Sequence, residues 1–255
     1  MRREPLLQHF ELLTEYIRYK YQAWSIPTDL EHVAHSLGVS KIIYEKMNAW
    51  GCVEQSGKNL IIRIKEDAPK NRQRFSLAHE IGHVILERLK NKPNTNYYKK
   101  FRSQATVADS IDEEAMADML AACLLIPTHF LTTALCGEIR MQNIKKAATI
   151  TGTSLSAMLL RTMSVVTEPC AVFMARRIGL TDWDLKWCRG SQSISDWKLR
   201  EELENNNVLE KLISGKDDAK YHSGSICWGK TQHDFRRFDA IQTVHCLVEI
   251  RNALR

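Results

Sequence analysis

The chain has 255 residues, 44% of them hydrophobic, an ordinary globular composition with room for one large domain or two to three small ones. Its net charge of +6 is uneven: Lys58 to Arg102 holds twelve Lys and Arg against four Asp and Glu, with no aromatic interleaving of the kind single-strand binders use, so it reads as a solvated face and argues against direct nucleic-acid binding. No apolar run approaches the roughly 20 residues of a bilayer span, Leu6-Leu7 gives way to Gln8-His9 before any signal-peptide core forms, and seven cysteines (52, 123, 136, 170, 188, 227, 246) show no C-x-x-C. Together these predict a cytoplasmic protein with reduced thiols and no membrane partner.

Residues 5–24 predict an amphipathic helix, because Leu6, Phe10, Leu13, Ile17, Tyr21 and Trp24 recur at steps of three or four before Pro27. Thr28 with Glu31 has capping-box spacing and opens a helix through Val33, Ala34 and Leu37 to Gly38. Lys41 to Trp50 reads as a further helix, and the Ala34-to-Ser40 turn has helix-turn-helix spacing. Ile42, Ile43, Tyr44, Met47 and Trp50 are too apolar for a major groove, so this pair is scaffold. Cys52 to Ile64 predicts a hairpin turning at Ser56-Gly57.

Arg74-Phe75-Ser76-Leu77-Ala78-His79-Glu80-Ile81-Gly82-His83 carries the chemistry. Residues four apart on a helix share a face, so His79 and His83 can offer two imidazole nitrogens to one metal. Glu80 lies beside them, placed to take a proton from an attacking water: the H-E-x-x-H arrangement of metal-assisted hydrolysis. Leu77, Ile81, Val84 and Ile85 give the helix an apolar body. A metzincin would continue with Gly and His where Leu86 and Leu89 stand, so the third ligand must come from elsewhere. Asn91 to Asp109 reads as a polar loop, in which Tyr97 or Tyr98 is a candidate to polarise a scissile carbonyl beside ordinary packing. Ser110 and Glu113 then cap a helix that runs to Pro127. Glu114 and Asp118 are one turn apart on it: Glu114 reads as the third ligand, and Asp118 as acceptor for the N–H of a ligand imidazole. Glu113 is explained by capping alone.

Phe130 to Leu135 and Ile139 to Ile150 predict helices, and Ala148 to Met163 again has helix-turn-helix spacing. Only Arg161 is charged from Thr149 to Val166, so packing rather than phosphate binding is the expectation. Beyond Glu168-Pro169, strand-like stretches at 170–176, 184–189, 223–228 and 242–251 surround a polar helix near 196–212. Fourteen basic and twelve acidic residues follow Pro169, and Trp183, Trp187, Trp197 and Trp228 suggest a second core or a binding surface. His222, Cys227, His233 and Cys246 fit no standard zinc spacing.

Arg74 to His83, followed by Glu114-x-x-x-Asp118-x-x-Ala121-Ala122-x-Leu124-Leu125-Ile126-Pro127, resembles the ImmA/IrrE metallopeptidases from about Thr28 to Arg161. Met116, where a second acid is usual, and Leu120, where Phe is usual, depart from the pattern without removing a ligand. The resemblance implies a gluzincin-like Zn²⁺ site and a protein substrate, an XRE-type helix-turn-helix repressor whose cleavage relieves repression. It also implies a strand beside the metal helix that pairs with extended substrate, for which the alternation of Leu60, Ile62 and Ile64 nominates the second hairpin strand. The expected fold is α+β: a mainly helical zinc-metallopeptidase domain with a short β-sheet, then a smaller mixed α/β domain. The expected organisation is an N-terminal helix at 1–27, the metallopeptidase domain at 28–135, a helix-turn-helix-like segment at 136–167, and a C-terminal domain at 168–255 for substrate or signal recognition. Two other readings are a metal-containing protein that sequesters a regulator without cutting it, and a DNA-binding regulator.

Overall fold

The computed structural model describes residues 4–57, 59–90, 113–135, 139–167, 170–177, 183–191, 196, 200, 223–228, 231–240 and 243–252. The chain divides into two compact units, Met1–Thr133 with Ala147–Ser154, and Ala134–Lys146 with Leu155–Arg255. In the first, helix α1 (Glu4–Lys20) buries Phe10, Thr14, Ile17 and Arg18, one face at helical spacing. It stops short of the predicted Trp24. Gln22 takes φ 55°, and the amides of Gln22 and Ala23 donate to the carbonyls of Tyr19 (3.2 Å) and Arg18 (2.9 Å), a Schellman stop built without glycine.

Helix α2 (Leu30–Ser36) is capped one residue later than the sequence spacing suggests. Asp29, not Thr28, accepts from the amide of His32 at 3.0 Å. Thr28 is spent elsewhere: it accepts from Arg18 Nη1 (2.7 Å) and donates to the Leu124 carbonyl (2.8 Å), a buried link between segments far apart in the chain. Gly38, at φ +77°, ends the turn after α2.

The helix expected over 41–50 is not formed: 41–45 belong to a strand and 46–50 are irregular. β1 (Val39–Glu45), β2 (Gly51–Ser56) and β3 (Asn59–Lys65) form a sheet in the order β1-β3-β2. β1 pairs in parallel with β3, Val39 opposite Leu60 and Glu45 opposite Lys65. Its run of Ile42, Ile43 and Tyr44 suits a pleated surface better than a helix, and the parallel partner that fixes it lies about twenty residues on. The β2–β3 hairpin is as expected, with Gly57 at φ +63° in the turn. Arg63 joins all three strands by pairing with Glu45 (3.0 Å) and Glu54 (2.8 Å).

Helix α3 (Lys70–Lys90) buries Leu77, Ala78, Ile81, Val84, Ile85 and Leu86, and packs on β2, β3 and α4 (Glu113–Leu125). Ala117, Leu120, Ala121 and Leu124 give α4 its buried face. Gly82 sets the approach of these two helices. A Cβ there would stand 3.0 Å from the Ala117 carbonyl oxygen and 3.1 Å from its Cα, backbone atoms with nowhere to go. Gly82 lies just before His83, and Ala117 just before Asp118, so this tight crossing brings the two polar helix faces into register.

Helices α5 (Thr128–Leu135), α6 (Met141–Thr151) and α7 (Leu155–Val165) follow, with Gly152 at φ +67° after α6. Arg161, the lone charge of this stretch, is buried and donates to Ser164 Oγ at 3.1 Å, so it presents nothing to a phosphate. In the second unit a five-stranded antiparallel sheet runs β5-β4-β8-β7-β6. β4 (Cys170–Arg177), β5 (Trp183–Gly190), β6 (Ser223–Trp228) and β8 (Thr243–Asn252) match the predicted strands. β7 (Thr231–Ala240) was not expected, since Gln, His, Asp and Arg leave it without an apolar alternation. Cys170, Ala171, Val172 and Phe173 are buried on β4, against which α7 packs. The polar helix expected at 196–212 falls almost wholly outside the described residues. The fold is α+β, and no single described helix is long and apolar enough to cross a membrane.

Candidate metal centre

The α3–α4 crossing converts two sequence spacings into one cluster. His79 and His83 present their Nε2 atoms 3.0 Å apart. Glu114 reaches across from α4, with Oε2 3.2 Å from His79 Nε2 and Oε1 3.3 Å from His83 Nε2. Donors about 2.05 Å from a tetrahedral ion lie about 3.3 Å from one another, so the three separations suit a small divalent cation. Among the described residues these three form the one group of His, Cys, Asp or Glu able to hold such an ion.

The surroundings orient the donors. The Nδ1–H of His79 donates to Asp118 Oδ1 at 2.8 Å, which leaves Nε2 with its lone pair toward Glu114 and His83. The same hydrogen bond holds the His79 pKa above its ordinary value, against the opposing effect of burial. Glu113 adds no donor atom to this cluster. Its Oε2 lies 2.5 Å from Lys90 Nζ and its Oε1 3.7 Å from His83 Nδ1, and the Lys90 hydrogen bond keeps its carboxyl below the usual range.

Glu80 is 7% exposed beside the two histidines. Burial raises its pKa, the nearby His79 and His83 oppose that rise, and Glu114 adds to it. Such a carboxylate is a better proton acceptor than one in open water. Its position depends on a residue that sequence reading did not single out. A Cβ on Gly51 would lie 2.7 Å from Glu80 Oε1 and 3.2 Å from its Cδ, so the strand rests directly on the carboxylate. In Gly51→Ala the flexible carboxylate can swing aside, leaving the fold intact but Glu80 displaced. The expected result is unchanged metal content and about a 100-fold loss of any hydrolytic turnover that depends on Glu80, read by metal analysis and kinetics on one preparation.

A cavity of about 660 Å³ opens over these groups, walled by Trp50, Gly51, Cys52 and Val53 on one side and by Arg72, Phe75 and Ser76 of α3 on another. The wall corrects the choice of substrate strand. β3 has neighbours on both edges, whereas β2 is an edge strand of its sheet and its first residues line the cavity. Tyr97 and Tyr98 lie outside the described residues, as do the side chains of His222, Cys227, His233 and Cys246. Trp50 and Arg72 escaped notice because 41–50 read as a helix; the seven-residue step from Arg72 to His79, two turns on one face, was the available signal.

Comparison with known proteins adds a family. The model of the IrrE N-terminal-like domain, peptidase M78, matches residues 34–163. A solved structure of a Mycobacterium tuberculosis transcriptional regulator is similar in fold, with a TM-score of 0.59 at 10% identity over 94% of this chain and 87% of that one. No curated protein gives a significant match. The matched residues make up half the chain and contain α3, α4 and the whole donor cluster between them, in agreement with the resemblance read from the motif: the chain belongs to the peptidase M78 family of metallopeptidases, with an IrrE N-terminal-like domain.

Proposed function

We propose that this protein is a zinc-dependent endopeptidase that cleaves a cytoplasmic helix-turn-helix repressor of the XRE type and so relieves repression. The observation that carries the reading is the convergence of His79, His83 and Glu114 to separations of 3.0–3.3 Å with Glu80 beside them under an open cavity. In this reading the three side chains hold Zn²⁺, and Asp118 fixes the His79 ring through Nδ1. A bound zinc ion supplies Lewis acidity and lowers the pKa of water toward about 7. Glu80 accepts the proton of the attacking water and delivers it to the leaving amine, while Gly51 keeps its carboxylate in place. The outer edge of β2 offers backbone partners to an extended peptide laid across the cavity. Residues 168–255 are assigned to selecting the partner or sensing a signal.

The DNA-binding alternative loses its main cation, because Arg161 is buried against Ser164. The test of function is direct. Purified zinc-loaded protein, incubated with the helix-turn-helix repressors encoded beside its own gene, should cut one of them at a defined bond. A chelator should abolish the cut and added zinc restore it. Cleavage that persists undiminished after complete metal removal would overturn the reading.

A further inference from the structure

Among the described residues, Arg72 is the one arginine or lysine on the cavity wall. Its guanidinium lies over the Trp50 ring at 4.7 Å and over the Phe75 ring at 5.5 Å. A guanidinium held over aromatic rings by its charge can still offer its five N–H donors to an acceptor. Among the described residues, no carboxylate pairs with Arg72 and no acceptor takes its side-chain donors. Asp67, the nearest acid in sequence toward the amino terminus, lies 3.8 Å from Lys65 instead.

Folding alone gives no reason for this cation. Arg72 sits in the first turns of α3, where the helix dipole is positive and acids are favoured. No acid occupies the first turn; Lys70 and Arg72 stand there instead. Trp50, about half exposed, adds a rigid aromatic surface that fixes the guanidinium in the wall rather than leaving it to sweep through solvent. A guanidinium held over two rings beside a positive helix end, with no acceptor among the described residues, suits a carboxylate.

The geometry points to Arg72 as the base of a specificity subsite that takes an acidic side chain, Asp or Glu, of the peptide substrate. The inference rests on the peptidase reading and adds to it a substrate class. It also gives a register. Arg72 and His79 are seven residues apart on one helix face, an axial rise of about 10.5 Å. An extended peptide along the β2 edge advances about 3.4 Å per residue. The acidic residue therefore falls within about three residues of the scissile bond, on the side toward Trp50.

The test uses the zinc-loaded full chain and a mixture of random-sequence peptides, with cut sites found by mass spectrometry. Asp and Glu should be enriched at one position within about three residues on one side of the cut. The best sequence is then remade with Glu, Gln or Lys at that position. Wild type should prefer Glu to Gln by about tenfold in kcat/KM, the scale of a charge-assisted hydrogen bond. Arg72→Gln should bring that ratio near one, and Arg72→Glu should favour the Lys peptide. Arg72→Lys, which keeps the charge but not the planar fork, should restore part of the preference. A merely structural role for Arg72 would lower the rate on all three peptides together and leave their ratios alone. Binding of the same peptides to Glu80→Gln protein, measured by calorimetry, separates the two levels of inference. Peptides cut with no Glu preference would overturn the subsite and spare the peptidase. Selective, Arg72-dependent binding of the Glu peptide without any cutting would sustain the subsite and overturn the peptidase. Neither cutting nor selective binding would overturn both.

Discussion

Glu80→Gln is expected to abolish most cleavage while leaving the protein folded, zinc-loaded and able to bind its partner. Gln keeps the length and volume of Glu, so it fits beneath Gly51 in the same 7%-exposed position. It contributes none of the donor atoms that meet at His79, His83 and Glu114, so zinc content should be unchanged. What it lacks is a basic oxygen. Loss of a positioned general base commonly costs about 10²–10⁴ in rate, and turnover should fall by at least that much. Turnover and partner affinity measured on the same zinc-loaded preparation make the result two-dimensional. A protein that sequesters its partner loses nothing in Glu80→Gln, so a variant that relieves repression in cells as well as wild type does would show that binding, not cutting, is the activity.

The parts of this site that are local in sequence were readable, and the parts that depend on distant pairing were not. The His79–His83 step lies on a single helix, and periodicity alone puts both rings on one face. Glu114 and Asp118 were readable for the same reason, their step being one turn of α4. That these two faces meet at all depends on Gly82 against Ala117, which no periodicity reveals. The stretch 41–50 misled because its apolar residues fit either a helix or a strand. What decides for a strand is the parallel ladder from Val39–Leu60 to Glu45–Lys65, together with the central place of β3. That one error hid the cavity wall. With 41–50 taken as helix, Trp50 and Gly51 had no edge strand to belong to, and Arg72 had no ring beside it. It also made β3 look like the strand open to a peptide, when β3 is paired on both sides and β2 is the edge that lines the cavity. β7 escaped for a different reason: a strand paired on both sides need not show alternation in its own residues, and this one is mostly polar.

Removing the α4 carboxylate should test the metal centre most sharply, because two adjacent acids compete for the role. Glu114 bridges the histidine pair at 3.2 and 3.3 Å, whereas Glu113 lies 2.5 Å from Lys90 Nζ and only 3.7 Å from His83 Nδ1. Zinc sites bind with apparent free energies of about 10–16 kcal/mol, so one lost ligand among three or four should cost on the order of 10³-fold in affinity. Glu114→Ala, like His79→Ala and His83→Ala, should therefore lose zinc on dialysis. Asp118→Ala removes the acceptor of the His79 N–H but no donor atom, and should weaken binding by about 10–100-fold. Glu113→Ala breaks a partly exposed ion pair with Lys90, worth about 1 kcal/mol or less, and should keep its zinc. Calorimetric zinc titration of the five variants, with thermal melts to confirm that each is folded, gives the ranking. Zinc retained by Glu114→Ala and lost by Glu113→Ala would transfer the ligand to Glu113, and would require that carboxylate to leave Lys90 and turn toward His83.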